Sequence, residues 1–151
     1  MKTLVIVPCG KSKIWRKYPH HGPVEAKNVY TGSPFILNRR YVEHFRNDWV
    51  ILSAKYGLVQ PDYMIPEDYN VTFNDPDSNP ISIQELSNQV TKYSDYMCIV
   101  ALGGRTYSDI VRELFKEKQV ISPTFGLPIG KAMSKVKNAI ESNTPFICPE
   151  K

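Results

Sequence analysis

Three runs of the chain are apolar without interruption: Thr3 to Val7, Trp49 to Leu52 and Cys98 to Leu102. A strand buried on one face alternates apolar and polar residues, whereas a strand covered on both faces reads as a continuous β-branched run, as in a parallel sheet sandwiched between helices. A fourth, weaker run lies at 119–122. Between these runs the apolar spacing changes to that of a helix. Ser33-Pro34 supplies a cap residue and a proline suited to a first helical turn, ahead of Leu37, Tyr41 and Phe45. Ser82-Ile83-Gln84-Glu85 has the spacing of a capping box and precedes Leu86, Val90 and Tyr93. Tyr107, Ile110, Val111, Leu114 and Phe115 form one apolar stripe. A last helix is expected over 129–142, with Met133, Val136 and Ile140 inward and lysines outward.

Strands alternating with helices predict an α/β fold: a three-layer αβα sandwich on a four-stranded parallel sheet, with strand order 2-1-3-4 as its simplest right-handed arrangement. Such an order puts a switch point between strands one and three, where open α/β sheets bind ligands at the carboxyl ends of their strands. Two connections, 9–32 and 53–81, are longer than compact domains usually tolerate without a function. The tail 144–151, with two prolines, is expected on the surface.

Composition narrows the partners more than the fold. The 151 residues suit a single α/β domain spanning 1–151, and 42% hydrophobic with 23% charged content is that of an ordinary globular chain. No apolar run approaches the ~18 residues of a membrane span, and Thr3 to Val7 is too short for a signal peptide, so no membrane partner and no export are expected. Three widely spaced cysteines argue against a disulfide framework and fit a reducing, cytoplasmic setting. They offer no zinc pair, so neither a metal nor a cofactor is expected. A net charge of +4 and a pI near 8.9 favour a polyanion. The sequence leaves homo-oligomerisation open.

Every strand end carries glycine with a cation or hydroxyl nearby. Pro8-Cys9-Gly10-Lys11-Ser12-Lys13 follows strand one and suits a phosphate, although it lacks the glycine spacing of a Walker loop. Cys9 beside lysines has the setting of an activated thiol, but no histidine is tied to it and a cysteine at a strand end is commonly a small core residue. Ser53-Ala54-Lys55-Tyr56-Gly57 follows strand two, with Asp62, Asp68, Tyr69 and Asn70 beyond it; tyrosines stack on a base, asparagine reads its edge and a carboxylate orients water. Gly103-Gly104 opens the third helix, and Gly130-Lys131 opens the fourth, where a lysine opposes the helix dipole unless an anion is present.

PCGKSK, AKNVYTGSPF with NRRYVEHF, WVILSAKYGLVQPD with DYNVTF, and GLPIGKAM together resemble a family of uncharacterised bacterial and phage domains, over nearly the whole chain. The PC-x-x-K start and ILSAKYG are also similar to a domain of archaeosine synthase and, more distantly, to the uracil-DNA glycosylase-like fold. That resemblance implies an α/β frame that handles modified or unusual bases. In the archaeosine synthase domain the lysine runs on into proline and tyrosine, whereas Lys13 is followed by Ile14-Trp15. The glycosylase aspartate after strand one and histidine after the last strand have no counterpart.

The resulting expectation is an enzyme acting on a nucleobase, nucleotide or nucleic acid, cleaving or exchanging an N-glycosidic bond. Lys13, Lys55, Asp62 and Asp68 are its candidate catalytic residues, with Lys55 as donor to the departing base and an aspartate orienting water. Pro8, Cys9, Gly10, Lys11, Ser53, Gly57, Gly103, Gly104, Gly130 and Lys131 would hold the substrate, and Tyr56, Tyr69 and Asn70 would grip the base. The alternatives are a non-catalytic binder of nucleotide or nucleic acid, such as a phage or defence accessory, and a basic edge that docks a protein.

Overall fold

The computed structural model describes residues 2–150. In chain order the elements are β1 (Thr3–Pro8), β2 (Val24–Glu25), α1 (Ala26–Val29), α2 (Ser33–His44), β3 (Asp48–Ser53), β4 (Gly57–Val59), β5 (Met64–Ile65), α3 (Ile83–Val90), β6 (Cys98–Ala101), α4 (Arg105–Leu114), β7 (Gln119–Ile121) and α5 (Ile129–Glu141). The main sheet runs β4-β3-β1-β6-β7. All neighbours in it are parallel except β3 and β4, which form an antiparallel hairpin. The sheet is therefore five-stranded and mixed, not four-stranded and wholly parallel. β2 and β5 pair separately, outside it.

Burial accounts for the uninterrupted apolar runs. Val5 and Val7 of β1 point into one cluster with Tyr41 and Val136, while Leu4 and Ile6 point into the other with Leu86 and Val111. Each of these four strand residues is at most 1% exposed. At about 1.5–3 kcal/mol per large apolar side chain removed from water, β1 is the costliest strand to disturb. Helices α2 and α5 pack together on the first face, and α3 with α4 on the second. Helix α3 opens on the serine half of the expected capping box: Ser82 Oγ accepts from Glu85 N at 3.1 Å, while Glu85 Oε1 accepts from the Ser82 hydroxyl at 3.4 Å instead of from a backbone N–H.

The two long connections are more ordered than their composition suggests. The first holds a 3-10 turn at Ile14–Arg16, β2 and α1, anchored by buried Trp15, whose Nε1 donates to the His21 and Gly22 carbonyls. The second contains β4, β5 and a 3-10 turn at Pro76–Ser78.

The cysteines correct the sequence reading. Cys98 and Cys148 are joined in a disulfide that closes a span of 50 residues, and Cys9 alone is free among the described residues. Wide spacing said nothing about proximity, because the tail returns along β7: Gln119 Nε2 donates to Pro149 O, and Phe146 N donates to Tyr41 Oη. Tail residues Phe146 and Cys148 are thus packed, not wholly superficial; Lys151 lies outside the described residues. The premise for a reducing setting goes with this pairing. No helix among the described residues is long and apolar enough to cross a membrane.

Candidate functional site

The site grows out of the place where β1 parts from its neighbours. Odd-numbered β1 residues bond toward β3, and this pairing continues past the strand, with Cys9 N donating to Leu52 O at 3.0 Å. Even-numbered ones bond toward β6, where Leu102 N donates to Ile6 O. The next even residue is Pro8, which has no N–H to give, so the ladder with β6 stops there. On the opposite side Gly103 turns away with φ +104°, and a Cβ on it would lie 2.6 Å from Pro8 Cγ. Proline and glycine together split the sheet's carboxyl edge into a crevice at the β1/β6 switch point.

Two cavities open on this edge and share Cys9 and Tyr107. The larger, about 500 Å³, is walled by Gly10, Lys11 and Lys13 of the first loop and by Asn70, Thr72 and Asn74 of the second. The smaller, about 260 Å³, lies between α2, α4 and α5 and is lined mainly by apolar side chains, with Asn38 and Thr124 as polar exceptions. Cys9 Sγ and Tyr107 Oη, 3.4 Å apart, stand on their common wall. Burial first, and then the Cys9 charge, push the Tyr107 phenol well above its usual range, so it remains a hydroxyl.

Lys13 is the unusual group. It is only 4% exposed and, among the described residues, forms no salt bridge; its Nζ donates one hydrogen bond there, to Lys11 O at 3.2 Å, and lies 4.4 Å from the centre of the Tyr69 ring. An ammonium has three donors, and the two not bonded to the chain can serve a molecule in the cavity that Lys13 lines. Burial pushes its amine below the ordinary lysine range; Cys9 and Asp68 partly restore it, while Arg16 works with burial. The residue is held in place by a backbone bridge to Tyr30 and by Thr31 N donating to Ser12 O.

Beneath Lys13 runs a chain of hydroxyls. Ser53 Oγ accepts from the N–H groups of Lys55 and Tyr56, so its own proton goes to Tyr69 Oη at 3.0 Å. Tyr69 in turn bonds Tyr30 Oη. Burial pushes both phenols above their usual range. The Lys55 ammonium also sits over the Tyr69 and Tyr56 rings.

The sequence-derived candidates therefore separate into groups. Pro8, Cys9, Gly10, Lys11, Lys13, Asn70, Gly103 and Gly104 line one cavity or the other. Ser53 and Tyr69 are buried beneath the larger cavity, and Tyr56 packs edge-on against Tyr69; they support Lys13, and the Tyr69 ring is not free to stack on a base. Gly57 belongs to the hairpin: with φ +81° it leaves room for Gln89, whose Oε1 accepts from Leu58 N and whose Nε2 donates to Tyr56 O. Asp68 is paired with Arg16 at 3.0 Å on the exposed side of the loop, and Asp62 is exposed in the turn before β5. No carboxylate among the described residues lines either cavity. Gly130 and Lys131 are exposed on α5 and line neither. No cluster of three or more potential metal ligands occurs among the described residues.

Sequence reasoning missed Tyr30, Asn38, Asn74 and Tyr107 as site residues. Tyr107 was absorbed into the apolar stripe of its helix, although only its ring packs there. Asn38 carried a usable signal: it lies four residues after Pro34 and three before Tyr41, a polar residue on the inward face of α2.

Comparison with known proteins gives a family without an assigned activity. The uncharacterized protein YfjM of Bacillus subtilis (strain 168) is 39% identical over 124 residues, covering 81% of this chain and 83% of that one. No solved structure matches. The model of a family of unknown function matches residues 4–138, from β1 into α5. The chain accordingly belongs to that family, DUF6884.

Proposed function

We propose that the chain is an enzyme that acts on a nucleobase-bearing substrate, cleaving or exchanging its N-glycosidic bond at the cavity that Lys13 lines. The observation that carries this reading is Lys13 itself: a lysine 4% exposed, without a carboxylate partner and facing a cavity of about 500 Å³. Burying a cation without a carboxylate costs free energy that a bound anion would offset beyond what the Tyr69 ring supplies, and perturbed groups in clefts concentrate at functional sites. The cavity is in the size range of small-molecule sites. Its other cation, Lys11, is exposed at the rim, where a phosphate would meet it. The net charge of +4 supports a nucleotide or nucleic-acid partner. A ligand crevice at the carboxyl edge of an open, mostly parallel sheet also supports the uracil-DNA glycosylase-like reading of the fold.

In hydrolysis the C1′–N bond breaks with its electron pair on the base, a water oxygen bonds C1′, and the water's proton is transferred to the base nitrogen. The Lys13 ammonium gives a proton to the leaving base nitrogen and recovers one from the attacking water, so the proton count balances. In exchange, an incoming base replaces water and the same proton inventory holds. Lys13 thus takes the donor's part first expected of Lys55.

The test is to incubate the full chain with nucleosides, nucleoside monophosphates, and DNA and RNA oligonucleotides carrying modified bases, and to measure released base and abasic sites. Turnover that falls about a hundredfold or more in Lys13→Ala supports the reading; no released or exchanged base across the panel would sink it. A second reading, binding without turnover, is favoured by the lack of a carboxylate in either cavity. It predicts Lys13-dependent affinity and no product.

A further inference from the structure

The smaller cavity is not needed to explain Lys13, yet it is built for a ligand of its own. Asn38, in the second turn of α2, is 6% exposed, lines this cavity, and its side-chain amide makes no hydrogen bond among the described residues. Its amide atoms are not sealed off from the cavity, so both the acceptor and the donors are open to a molecule seated there. Around it the walls are apolar, notably Pro34, Tyr107, Met133 and Val136, and no charged side chain lines them. A phosphate therefore has its counter-ions on the other side of Cys9, while a flat, mainly apolar ring has its place here.

Two helices also begin at this cavity. Gly104 caps α4 and Pro128 caps α5, neither with a side chain that accepts from the first-turn N–H groups, and Gly104 and Ile129 lie on the lining. These open helix starts favour negative charge, such as develops on a nucleobase as its glycosidic bond breaks.

We infer that the apolar cavity is a nucleobase subsite, in which the Asn38 amide reads the donor–acceptor edge of the base while sugar and phosphate lie across Cys9 in the basic cavity. An asparagine amide offers one acceptor beside one pair of donors and so matches a base edge that carries both. The shared wall at Cys9 and Tyr107 then marks where C1′ sits. This inference rests on the proposed action at an N-glycosidic bond and names the part of the molecule that selects the base.

Calorimetric titration of the full chain separates the two ideas, using the common nucleoside 5′-monophosphates and ribose 5-phosphate as probes. The expected result is that at least one nucleoside monophosphate binds about tenfold or more tightly than ribose 5-phosphate, that Asn38→Ala removes this advantage, and that ribose 5-phosphate binding is unchanged. Ala132→Phe, which fills the cavity without touching the amide, should have the same effect. Asn38→Asp should change which base is preferred, a result that a merely structural asparagine would not give. Wild-type affinity for nucleoside monophosphates in both Asn38→Ala and Ala132→Phe overturns the base subsite, while a loss in Lys13→Ala alone leaves the basic-cavity reading standing. Equal affinity for ribose 5-phosphate and every monophosphate also overturns it. No binding of any probe to the wild-type chain overturns both.

Discussion

The cavities on either side of Cys9 solve opposite problems. The larger one places a buried ammonium over hydroxyls and rings, and its walls come from two long loops braced against each other. The smaller one is walled mainly by three helices and offers almost nothing but apolar surface and one amide. Charge sits in loops, where backbone can bend around it; shape sits in helices, whose spacing the core fixes. A substrate with a charged end and a flat apolar end finds both within reach of one wall.

Removing the charge should have the largest effect on this contrast. Lys13→Met is expected to abolish turnover, a loss of about a hundredfold or more, yet to raise the thermal midpoint, because an unpaired buried cation is replaced by a side chain of similar length. A lower midpoint in Lys13→Met would mean that the amine is satisfied in a way its single hydrogen bond does not reveal. The disulfide provides a control at the other end of the sheet. Cys148→Ser should cost up to about 4 kcal/mol in chemical denaturation, from the entropy of a 50-residue loop, while leaving affinity at both cavities as it was.

Next in size is the wall between them. Gly103→Val combines a left-handed backbone with the Pro8 contact, and should cost about 2 kcal/mol or more and weaken base-dependent binding. The pH dependence of Lys13 sharpens the comparison further. Its folded pKa lies below the ordinary 10.5, so between the two values the unfolded chain holds the extra proton and folding gains stability as pH rises. The excess stability of Lys13→Met over wild type should therefore be largest near neutral pH and shrink as pH climbs toward and past 10.5. The smallest effect is expected for Asp68→Asn. Its ion pair with Arg16 is more than a third exposed on both sides, so stability should change by less than about 1 kcal/mol and turnover should remain near wild type. A large loss of turnover would return the carboxylate to the mechanism.

The legible parts of the sequence were those where one residue's environment follows from its neighbours. β1 reads as doubly covered because Leu4 to Val7 meet two cores, and Ser82 with Glu85 states its capping role outright. β4 was hidden because three residues, Gly57 to Val59, are too few for a period to show. Cys98 and Cys148 were misread because only the return of the tail brings them together. At the site, Lys11 and Lys13 looked alike, and only folding separates an exposed rim lysine from a buried one. Asp68 looked catalytic because its partner Arg16 is 52 residues away.

The Pro8–Gly103 contact has a use beyond opening the crevice. The ring of one occupies the space the other leaves by lacking a Cβ, so a side chain at the second position meets both a left-handed backbone and the proline ring. The two residues form a two-letter key for sorting relatives: a chain with Pro at the first position and Gly at the second should keep both cavities, whatever its loops contain. A chain with a side chain at the second position and proline still at the first should have lost the base-reading half and kept the charged one.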